Sequence, residues 1–336
     1  MPKVGIIGAS GYAGAELLRL CAAHPDIDLA WATGDRQAGV AVASLYPNLA
    51  AVAPGMVFDA FDPEMVDGTD AVFLALPHGA SSTLVPDLVD RTGVVLDLAA
   101  DFRLRDPGLY PVWYGEEHAA PSLLAEFVYG LPELFRGQLA SATKIAVPGC
   151  YPTAAALALA PLLRAGSIER TGIVVDAASG VSGAGRDKFG FCAVDEDFRA
   201  YGLLDHRHTP EIEQALDAGD VLFTPHLVPM NRGILATCYA RPTGETSTAA
   251  LLGALHDTYA AEPFVVVVDE PPGTKGVSGS NCAHITARYD ARTGWVVVLC
   301  AIDNLIKGAA GQAVQCANLA LGLDETIGLP MAGMYP

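Results

Sequence analysis

The chain begins with a short apolar run that leads into glycines at positions 8, 11 and 14, Lys3-Val4-Gly5-Ile6-Ile7-Gly8-Ala9-Ser10-Gly11-Tyr12-Ala13-Gly14. Residues 4–7 predict a β-strand, and residues 11–23 predict a helix that follows directly. A glycine-rich turn between a strand and a helix is the context of a dinucleotide-binding fingerprint. The glycine spacing differs from the common G-x-G-x-x-G pattern, and a plain tight turn is the alternative interpretation.

Each glycine of this turn has a predicted role at a cofactor pyrophosphate. Gly8 makes the tight turn, Gly11 lets the backbone approach the phosphates, and Gly14 lets the helix pack closely on the strand. Ser10 can add a hydroxyl. The predicted cofactor-binding residues of this loop are therefore Gly8, Ser10, Gly11, Tyr12, Ala13 and Gly14.

The choice of cofactor depends on the end of the second predicted strand, residues 27–32, after which the chain reads Thr33-Gly34-Asp35-Arg36. An acidic residue here favours the free ribose hydroxyl of NAD, whereas an arginine favours the 2′-phosphate of NADP. We expect NADP(H), bound through Thr33 and Arg36. Asp35 leaves a strict preference for NADP over NAD open.

The first third of the chain alternates β-rich and helical runs, which predicts βαβ units and a mostly parallel sheet. Further strands are predicted at residues 71–76, 94–98 and 144–147, and a helix at 80–90. Glycines and prolines are frequent in residues 101–132, which are predicted to be loop.

Residues after about 170 contain more and longer β-rich runs. A helix is predicted around residues 154–163, and strands at 173–176, 221–228, 233–239, 264–268, 283–289 and 295–301. This pattern predicts a second, α+β domain with a large sheet that can face water or another subunit. A last amphipathic helix, about residues 305–321, is expected to pack back on the first domain.

Composition and charge exclude several classes of function. The 336 residues are 51% hydrophobic and 17% charged, with a formal net charge of −18. A chain of this length can bury a large core and is expected to form two domains. The acidic balance disfavours nucleic acid and anionic membrane surfaces as partners, because both require a basic face. Any anionic substrate must therefore be met by a local arginine cluster.

The cysteines and the N-terminus point to a reducing compartment. The seven cysteines are scattered without a CxxC pair, so neither a disulfide framework nor a zinc site is predicted. No basic region followed by an apolar stretch and cleavage site is present, and the longest apolar run is too short to span a bilayer. We expect a cytoplasmic protein that holds no metal and binds no membrane.

Cys150 lies at a predicted strand-to-helix junction, within Ala146-Val147-Pro148-Gly149-Cys150-Tyr151-Pro152-Thr153. The first N–H groups of a helix lack partners within the helix and carry partial positive charge, which stabilises a thiolate. This position suits a nucleophile. A small buried cysteine that packs the helix against the sheet is the alternative.

Two histidines, His206 and His208, precede a predicted helix that starts at Thr209. A loop histidine near a thiolate can serve as general acid and base around neutral pH. Histidines that merely cap a surface helix are the alternative, and a metal pair is disfavoured because no third ligand is near. Pro77 and His78 follow another strand and are expected to line the cofactor cleft.

Arginine-bearing loops are the candidate anion sites. Residues 178–186, which follow a predicted strand and end in Arg186, offer backbone amides, hydroxyls and one guanidinium. Arg103 and Arg232 lie in further loops. A mobile surface loop or a solvated arginine is the alternative for each.

Together these motifs resemble the N-acetyl-gamma-glutamyl-phosphate reductase family (type 1) of the aspartate-semialdehyde dehydrogenase-like superfamily, along nearly the whole chain. The matching motifs are also in the family's order, at residues 8–14, 97–104, 129–134, 145–161, 179–186, 206–211 and 303–313. The stretch around Cys150 is similar to the family's nucleophile signature. Departures are Ala99, Cys316 and the Gly34-Asp35 pair, and the last weakens the NADP assignment.

The resemblance implies an α/β fold with two domains. Residues 1–148 would form a Rossmann-type doubly wound NADP-binding domain, completed by the C-terminal helix at about 305–336. Residues 149–304 would form an α+β catalytic and dimerisation domain with a large mixed sheet. A homodimer or homotetramer is implied.

The implied activity is the NADPH-dependent reduction of N-acetyl-gamma-glutamyl phosphate to N-acetylglutamate 5-semialdehyde with phosphate release, in arginine biosynthesis. A sister acyl-phosphate reductase is the alternative: an aspartate-semialdehyde dehydrogenase, or an enzyme acting on a carrier-bound aminoadipyl or glutamyl phosphate. The acidic chain disfavours the carrier-bound case, because the carrier in such pathways is itself acidic.

The resemblance also implies roles for individual residues. Cys150 would attack the acyl carbon, phosphate would leave, and the nicotinamide would deliver hydride to the thioester. His208, which lies nearer the helix start, is the first candidate for proton transfer, and His206 is the second. Substrate would be bound by Arg103, Ser179, Ser182 and Arg186. Further cofactor contacts would come from Pro77, His78, Ser182, Gly183 and Asn304.

Overall fold

The computed structural model describes residues 1–186, 188 and 190–335. The chain divides into two compact units. The first comprises Met1–Pro148 and Ala309–Leu329, and the second comprises Gly149–Gly308 and the residues from Pro330 onward. Pro336, the last residue of the predicted segment 305–336, lies outside the described residues.

A parallel six-stranded sheet forms the centre of the first unit. Its strands are β1 (Lys3–Ile7), β2 (Asp28–Ala32), β3 (Ala71–Leu74), β4 (Val94–Asp97), β5 (Val128–Tyr129) and β6 (Lys144–Ala146). Its helices are α1 (Tyr12–Ala22), α2 (Val42–Leu45), α3 (Ala80–Leu84), α4 (Leu109–Tyr114) and α5 (Pro132–Leu139). The strand order is β2-β1-β3-β4-β6-β5. Every residue of β3 and β4 is buried, as expected for central strands of a parallel sheet.

The strand order sets the place where this sheet can bind a ligand. β1 lies between β2 and β3, so the connections that follow β1 and β3 diverge at the carboxyl edge of the sheet. Open α/β sheets bind ligands in the crevice at such a switch point. The glycine loop after β1 and the loop after β3 both lie there.

The first unit departs from the sequence predictions at two places. The helix predicted at 80–90 ends at Leu84 and continues as a 3-10 turn, Val85–Asp87, because Pro86 has no N–H to donate to the preceding turn. The region 101–132 predicted as loop contains α4, a 3-10 turn at Pro121–Glu126 and the short strand β5.

The second unit is built on a larger mixed sheet. Its strands are β7 (Val174–Gly180), β8 (Arg199–Ala200), β9 (Leu222–Val228), β10 (Ile234–Ala240), β11 (Val265–Val267), β12 (Ala283–Asp290) and β13 (Trp295–Ile302). Its helices are α6 (Cys150–Arg164), α7 (Thr209–Leu216), α8 (Thr248–Tyr259) and α9 (Thr274–Val277). The strand order is β11-β12-β13-β10-β7-β9-β8, with β7–β9 and β11–β12 parallel and the other pairs antiparallel.

The two faces of this sheet differ in burial. α6 and α8 pack on one face, and every residue of α6 from Tyr151 to Leu163 is buried. On the other face, Val174, Tyr239 and Val297 lie side by side in register and are only partly buried. This face of the second unit is thus only partly covered, and it carries an apolar row beside polar residues such as Asp176 and Thr237.

The last helix predicted, 305–321, is in two parts. A π-helical turn, Ile306–Ala310, is followed by α10 (Gly311–Ala320), which packs on α1 and α5 of the first unit. Residues 311–318 are all buried. The side chain of Gln312 donates to the Gly130 carbonyl (2.7 Å), which ties α10 to the strand edge. Further 3-10 turns are Asp35–Gln37, Pro47–Leu49, Pro63–Val66, Val181–Ala184 and Phe191–Ala193.

Candidate active site

Cys150 is the first residue of α6 and follows directly on the N-cap, Gly149. The thiol is half-buried. The Gly149 N–H donates to Oε1 of Glu211 (2.8 Å), a residue of α7 that is fully buried. The strand-to-helix pattern in the sequence therefore places the thiol in the first helical turn, where backbone N–H groups stabilise a thiolate.

Gly308, in the π-helical turn, packs directly against Cys150. A Cβ atom added to Gly308 would lie 2.7 Å from Cys150 Cβ. Asp303, which is 0% exposed, holds this turn: its Oδ1 accepts from the N–H groups of Leu305 (2.8 Å) and Ile306 (3.0 Å). π-helical turns are frequent at functional sites. A buried carboxylate thus fixes the backbone that packs on Cα and Cβ of Cys150.

His206 is enclosed by aromatic side chains. Its ring centroid lies 5.7 Å from that of Tyr151, 5.4 Å from that of Tyr201 and 5.3 Å from that of Phe223. Its Nδ1 accepts the backbone N–H of His208 (3.1 Å). Burial lowers the pKa of His206 to about 4, and the positive charge of Arg207 adds to this effect. The ring is therefore neutral at physiological pH, with one nitrogen already engaged.

His208 is the N-cap residue of α7. Its ring lies edge-on to Tyr151, with 5.8 Å between centroids, and 4.9 Å from the ring of His206. Tyr151 directly follows Cys150 in the chain. The structure thus brings both predicted histidines onto the aromatic ring of the residue that follows Cys150.

Two tyrosines of this cluster have no role in the sequence prediction. The Tyr201 hydroxyl donates to the Tyr151 hydroxyl (3.0 Å), which in turn donates to the His226 carbonyl (3.2 Å). Burial raises the pKa of Tyr201 to about 12 and also raises the pKa of Tyr151. Both phenols stay protonated at neutral pH. For Tyr151, its position beside the nucleophile is the one signal in the sequence.

Four of the predicted ligand-binding residues lie together where β7 ends. The Asn304 side chain donates to Ser182 Oγ (3.0 Å) and accepts the Gly233 N–H (2.7 Å). A Cβ atom added to Gly183 would lie 3.5 Å from Ser179 Oγ and 3.6 Å from Asn304 Nδ2. Ser179, Ser182, Gly183 and Asn304 therefore form one hydroxyl- and amide-bearing cluster.

The two arginines predicted to bind substrate lie in different units. Arg103, in the first unit, is 8% exposed and donates to the carbonyls of Val147 (2.8 Å) and Leu98 (2.7 Å). Arg103 thus joins the residue after β4 to the residue after β6, which lies three positions before Cys150. Arg186 follows the serine cluster in the second unit and is partly buried.

The glycine loop of the first unit has the close backbone packing that a pyrophosphate site requires. Gly8 has a φ of +84°, and a Cβ there would lie 2.6 Å from the Ala75 carbonyl oxygen. A Cβ at Gly14 would lie 2.5 Å from Ala9 Cα, whereas nothing lies within 4 Å of one at Gly11, the N-cap of α1. The loop thus leaves open space before the N–H groups of α1, and it fits a dinucleotide.

The residues predicted to select the cofactor occupy different environments. Thr33 is 2% exposed, and its Oγ1 accepts the Gly8 N–H (3.3 Å), so this side chain supports the loop from within. The Ser10 hydroxyl donates to the Gly34 carbonyl (3.1 Å). Asp35 and Arg36 are exposed. Arg36, unlike Thr33, is therefore accessible from solvent.

His78 follows β3 and lies between two carboxylates. Its Nδ1 is 2.5 Å from Asp101 Oδ1, and its Nε2 is 3.1 Å from Glu116 Oε1. Asp101 also accepts the N–H groups of Gly79 (2.9 Å) and Ser82 (2.8 Å). Burial alone would raise the pKa of Asp101, but these donors outweigh it and the pKa is lowered. The preceding residue, Pro77, is exposed at the crevice edge.

In the described part of the chain, no three histidine, cysteine, aspartate or glutamate side chains are grouped to hold a metal ion. The helices of the same residues include none long and apolar enough to cross a membrane.

Known proteins match the chain along both units. The family "Semialdehyde dehydrogenase, NAD binding domain" matches residues 3–142, and "Semialdehyde dehydrogenase, dimerisation domain" matches residues 150–304. The N-acetyl-gamma-glutamyl-phosphate reductase of Symbiobacterium thermophilum is 50% identical, with 99% of each chain covered. That of Citrifermentans bemidjiense is 48% identical, with 100% of each chain covered. The chain belongs to the N-acetyl-gamma-glutamyl-phosphate reductase family. The resemblance carried by the motifs is thus confirmed, and so is a domain for a nicotinamide cofactor.

Solved structures of aspartate semialdehyde dehydrogenases share the fold of this reductase-family chain. The Vibrio cholerae enzyme II, complexed with ASA, gives a TM-score of 0.71 at 17% identity, covering 95% of this chain and 98% of that one. The Candida albicans enzyme, with NADP, gives 0.69 at 15% identity, again covering 95% and 98%. The predicted α/β fold with a second mixed-sheet domain is confirmed.

Proposed function

We propose that this chain catalyses the NADPH-dependent reduction of N-acetyl-gamma-glutamyl phosphate to N-acetylglutamate 5-semialdehyde with release of phosphate, as a step of arginine biosynthesis in the cytoplasm. The observation that carries the proposal is the placement of Cys150 in the first turn of α6, with His208 on the ring of the adjacent Tyr151. Relatives about 50% identical along the whole chain bear the name of this reductase.

Cys150 is proposed to carry the covalent chemistry. Its thiolate attacks the acyl carbon; the carbon–sulfur bond forms and the bond to the phosphate oxygen breaks, which leaves a thioester on Sγ and free phosphate. The Gly149 N–H is already engaged by Glu211, so the N–H groups of Cys150 and Tyr151 are the donors for the developing oxyanion. One such donor typically contributes about 3–4 kcal/mol to the transition state.

His208 is the proposed acid and base. The pKa of His206 is lowered to about 4 and its Nδ1 is occupied, so this ring is poorly suited to carrying a proton at neutral pH. His208 takes the thiol proton when Sγ attacks, and it returns this proton to Sγ when the carbon–sulfur bond breaks and the aldehyde is released. His206 then serves as a packing residue that orients the His208 backbone.

The anionic groups of the substrate are proposed to meet Ser179, Ser182 and Arg186 in the second unit. Hydroxyls and a guanidinium suit the phosphate and the carboxylate of this substrate. Arg103 contributes by holding the Val147 carbonyl before the nucleophile and completes the proposed set of anion-binding side chains.

The proposed cofactor is NADP(H), which supplies the hydride when bound. The residues that would hold it in the first unit are Gly8, Ser10, Gly11, Tyr12, Ala13, Gly14, Arg36, Pro77 and His78, with Thr33 as support; in the second unit they are Ser182, Gly183 and Asn304. The exposed Arg36 favours the 2′-phosphate, although Asp35 lies beside it. We accordingly assign cofactor binding to residues 1–148 with the returning C-terminal segment, and catalysis to residues 149–304.

A homodimer or homotetramer is proposed to form through the open face of the second unit's sheet. Val174, Tyr239 and Val297 remain partly exposed there, and a sheet with one uncovered apolar face is stabilised by packing on another sheet. The family name of residues 150–304, a dimerisation domain, supports this proposal.

The test is phosphate-dependent reduction of NADP by N-acetylglutamate semialdehyde, the reverse reaction. Cys150→Ala is expected to abolish it, whereas Cys192→Ala, which removes an exposed thiol, retains it. Full activity of Cys150→Ala would rule out the covalent mechanism. Equal kcat/KM with aspartate semialdehyde would overturn the substrate, and equal kcat/KM with NAD would overturn the cofactor preference.

A further inference from the structure

His78 lies in the crevice where the first unit is expected to bind its cofactor. The loop after β3 touches the glycine loop directly, because a Cβ atom on Gly8 would lie 2.6 Å from the carbonyl oxygen of Ala75 and 3.2 Å from a methyl group of Leu76. His78 lies two positions after Leu76. The segment that leads into His78 is therefore packed against the glycine loop.

Both nitrogens of His78 face carboxylate oxygens, Asp101 on Nδ1 and Glu116 on Nε2. A neutral imidazole donates through only one nitrogen, and the protonated ring donates through both. The ring of Tyr114 packs on His78 with 4.2 Å between centroids. The arrangement therefore holds the imidazole in a fixed orientation, with Nδ1 toward the buried Asp101 and Nε2 toward Glu116.

The two carboxylates differ sharply in how firmly they are held. Asp101 is 0% exposed and accepts two backbone N–H groups besides its contact with His78. The Glu116 side chain is 57% exposed, and its Oε1 would lie only 3.1 Å from a Cβ on Gly79. Asp101 is a permanent partner, whereas the carboxylate of Glu116 can swing into solvent at small cost.

We propose that the carboxylate of Glu116 occupies Nε2 of His78 in place of an anionic group of the nicotinamide cofactor. Asp101 is the positioning residue that orients Nε2 toward the Glu116 carboxylate or toward the cofactor. This inference rests on the proposed cofactor site. When the cofactor binds, a phosphate oxygen replaces the Glu116 carboxylate on Nε2. Glu116 thereby lowers the affinity for the cofactor, and His78 raises it.

The experiment measures the Kd of NADPH by isothermal titration at low salt. Glu116→Gln is expected to tighten binding about 2- to 5-fold, the range for removing one exposed charge pair. Glu117→Gln, which removes the same charge at the next, exposed position, is the matched control and is expected to leave the Kd unchanged. Added salt is expected to shrink the gain, because an exposed pair is screened.

A double-mutant cycle tests whether the effect passes through His78. In a His78→Asn background Glu116→Gln is expected to have no effect on the Kd, and the same loss of coupling is expected with Asp101→Asn. A merely structural role for Asp101 would lower the melting temperature but leave the coupling intact. Equal Kd values for Glu116→Gln and Glu117→Gln would overturn the inference. Failure of the unmodified protein to bind NADPH would instead overturn the proposed function.

Discussion

Replacing Gly308 with alanine probes the packing of the nucleophile. The new methyl carbon would lie 2.7 Å from Cys150 Cβ and 3.2 Å from Cys150 Cα. Ordinary carbon–carbon contacts are about 3.5–4.0 Å, so the two backbones must separate by about 1 Å. Gly308 is held in place by Asp303. The Gly308 N–H donates to the Asp303 carbonyl (2.9 Å), and the buried carboxylate of Asp303 binds the N–H groups of the same turn. The displacement is therefore expected to fall on the thiol.

The expected effect is larger on catalysis than on folding. Over-packing of this kind costs about 1–3 kcal/mol of stability. A 1 Å displacement of a reacting group can cost about 100-fold in rate. Gly308→Ala is thus expected to lower kcat/KM for the phosphate-dependent oxidation about 100-fold, while the protein still unfolds cooperatively by calorimetry.

A matched control is available in α5. Nothing lies within 4 Å of a Cβ atom on Gly137, and alanine favours a helix interior by about 1 kcal/mol over glycine. Gly137→Ala is expected to raise the melting temperature slightly and to retain full activity. The rate at which iodoacetamide alkylates Cys150 should differ from that of the parent protein in Gly308→Ala. In Gly137→Ala the rate should be unchanged. A Gly308→Ala protein with the kcat/KM and alkylation rate of the parent would refute the reasoning.

Three further predictions concern other parts of the molecule. His208→Ala is expected to lower kcat at least 100-fold. His206→Phe, which keeps the aromatic packing, is expected to lower kcat less than 10-fold. Comparable losses in the two variants would contradict the assignment of His208 as the acid and base. Gly14→Ala should unfold at a lower temperature, whereas Gly11→Ala should keep its melting temperature and bind NADPH more weakly; equal melting temperatures would contradict this. Burial raises the pKa of Asp97 to about 7, whereas an unfolded aspartate titrates near 3.9. The folded state therefore binds the extra proton, and Asp97 costs stability increasingly as the pH rises from about 4 to 7. Asp97→Asn should gain stability over the parent between pH 5 and pH 8, and a constant difference by calorimetry would contradict this.

The sequence predicts those parts of the fold that local patterns determine. β1, the glycine loop and the start of α6 are visible because an apolar run, a glycine or proline turn and a helix-forming run follow one another. α4 is missed because Gly108, Pro111 and Gly115 suggest loop. In the structure Pro111 lies in the first turn of α4, where it is tolerated, and Gly115 ends the helix with a φ of +79°. These residues mark the ends of a short helix.

The site is predictable where one motif contains it and unpredictable where distant segments meet. Cys150 and the histidine pair stand out in their own motifs. The bond from Gly149 to Glu211 joins residues far apart in the chain, and no local pattern indicates it. At Thr33 the local motif is misleading. Its position after β2 suggests a contact with a cofactor phosphate, but its hydroxyl accepts the Gly8 N–H inside the loop.

The return of α10 to the first unit determines the order in which the chain can fold during synthesis. The ribosome completes β6 before the second unit, yet α10, buried on α1 and α5, emerges only after residue 310. The strands of the second unit all come from one continuous stretch and can assemble as they appear. The unit that is made first thus gains α10 only after all strands of the second unit have been made. A chain truncated before α10 would expose the faces of α1 and α5 that this helix covers, so residues 1–148 alone are expected to be less stable than the complete first unit.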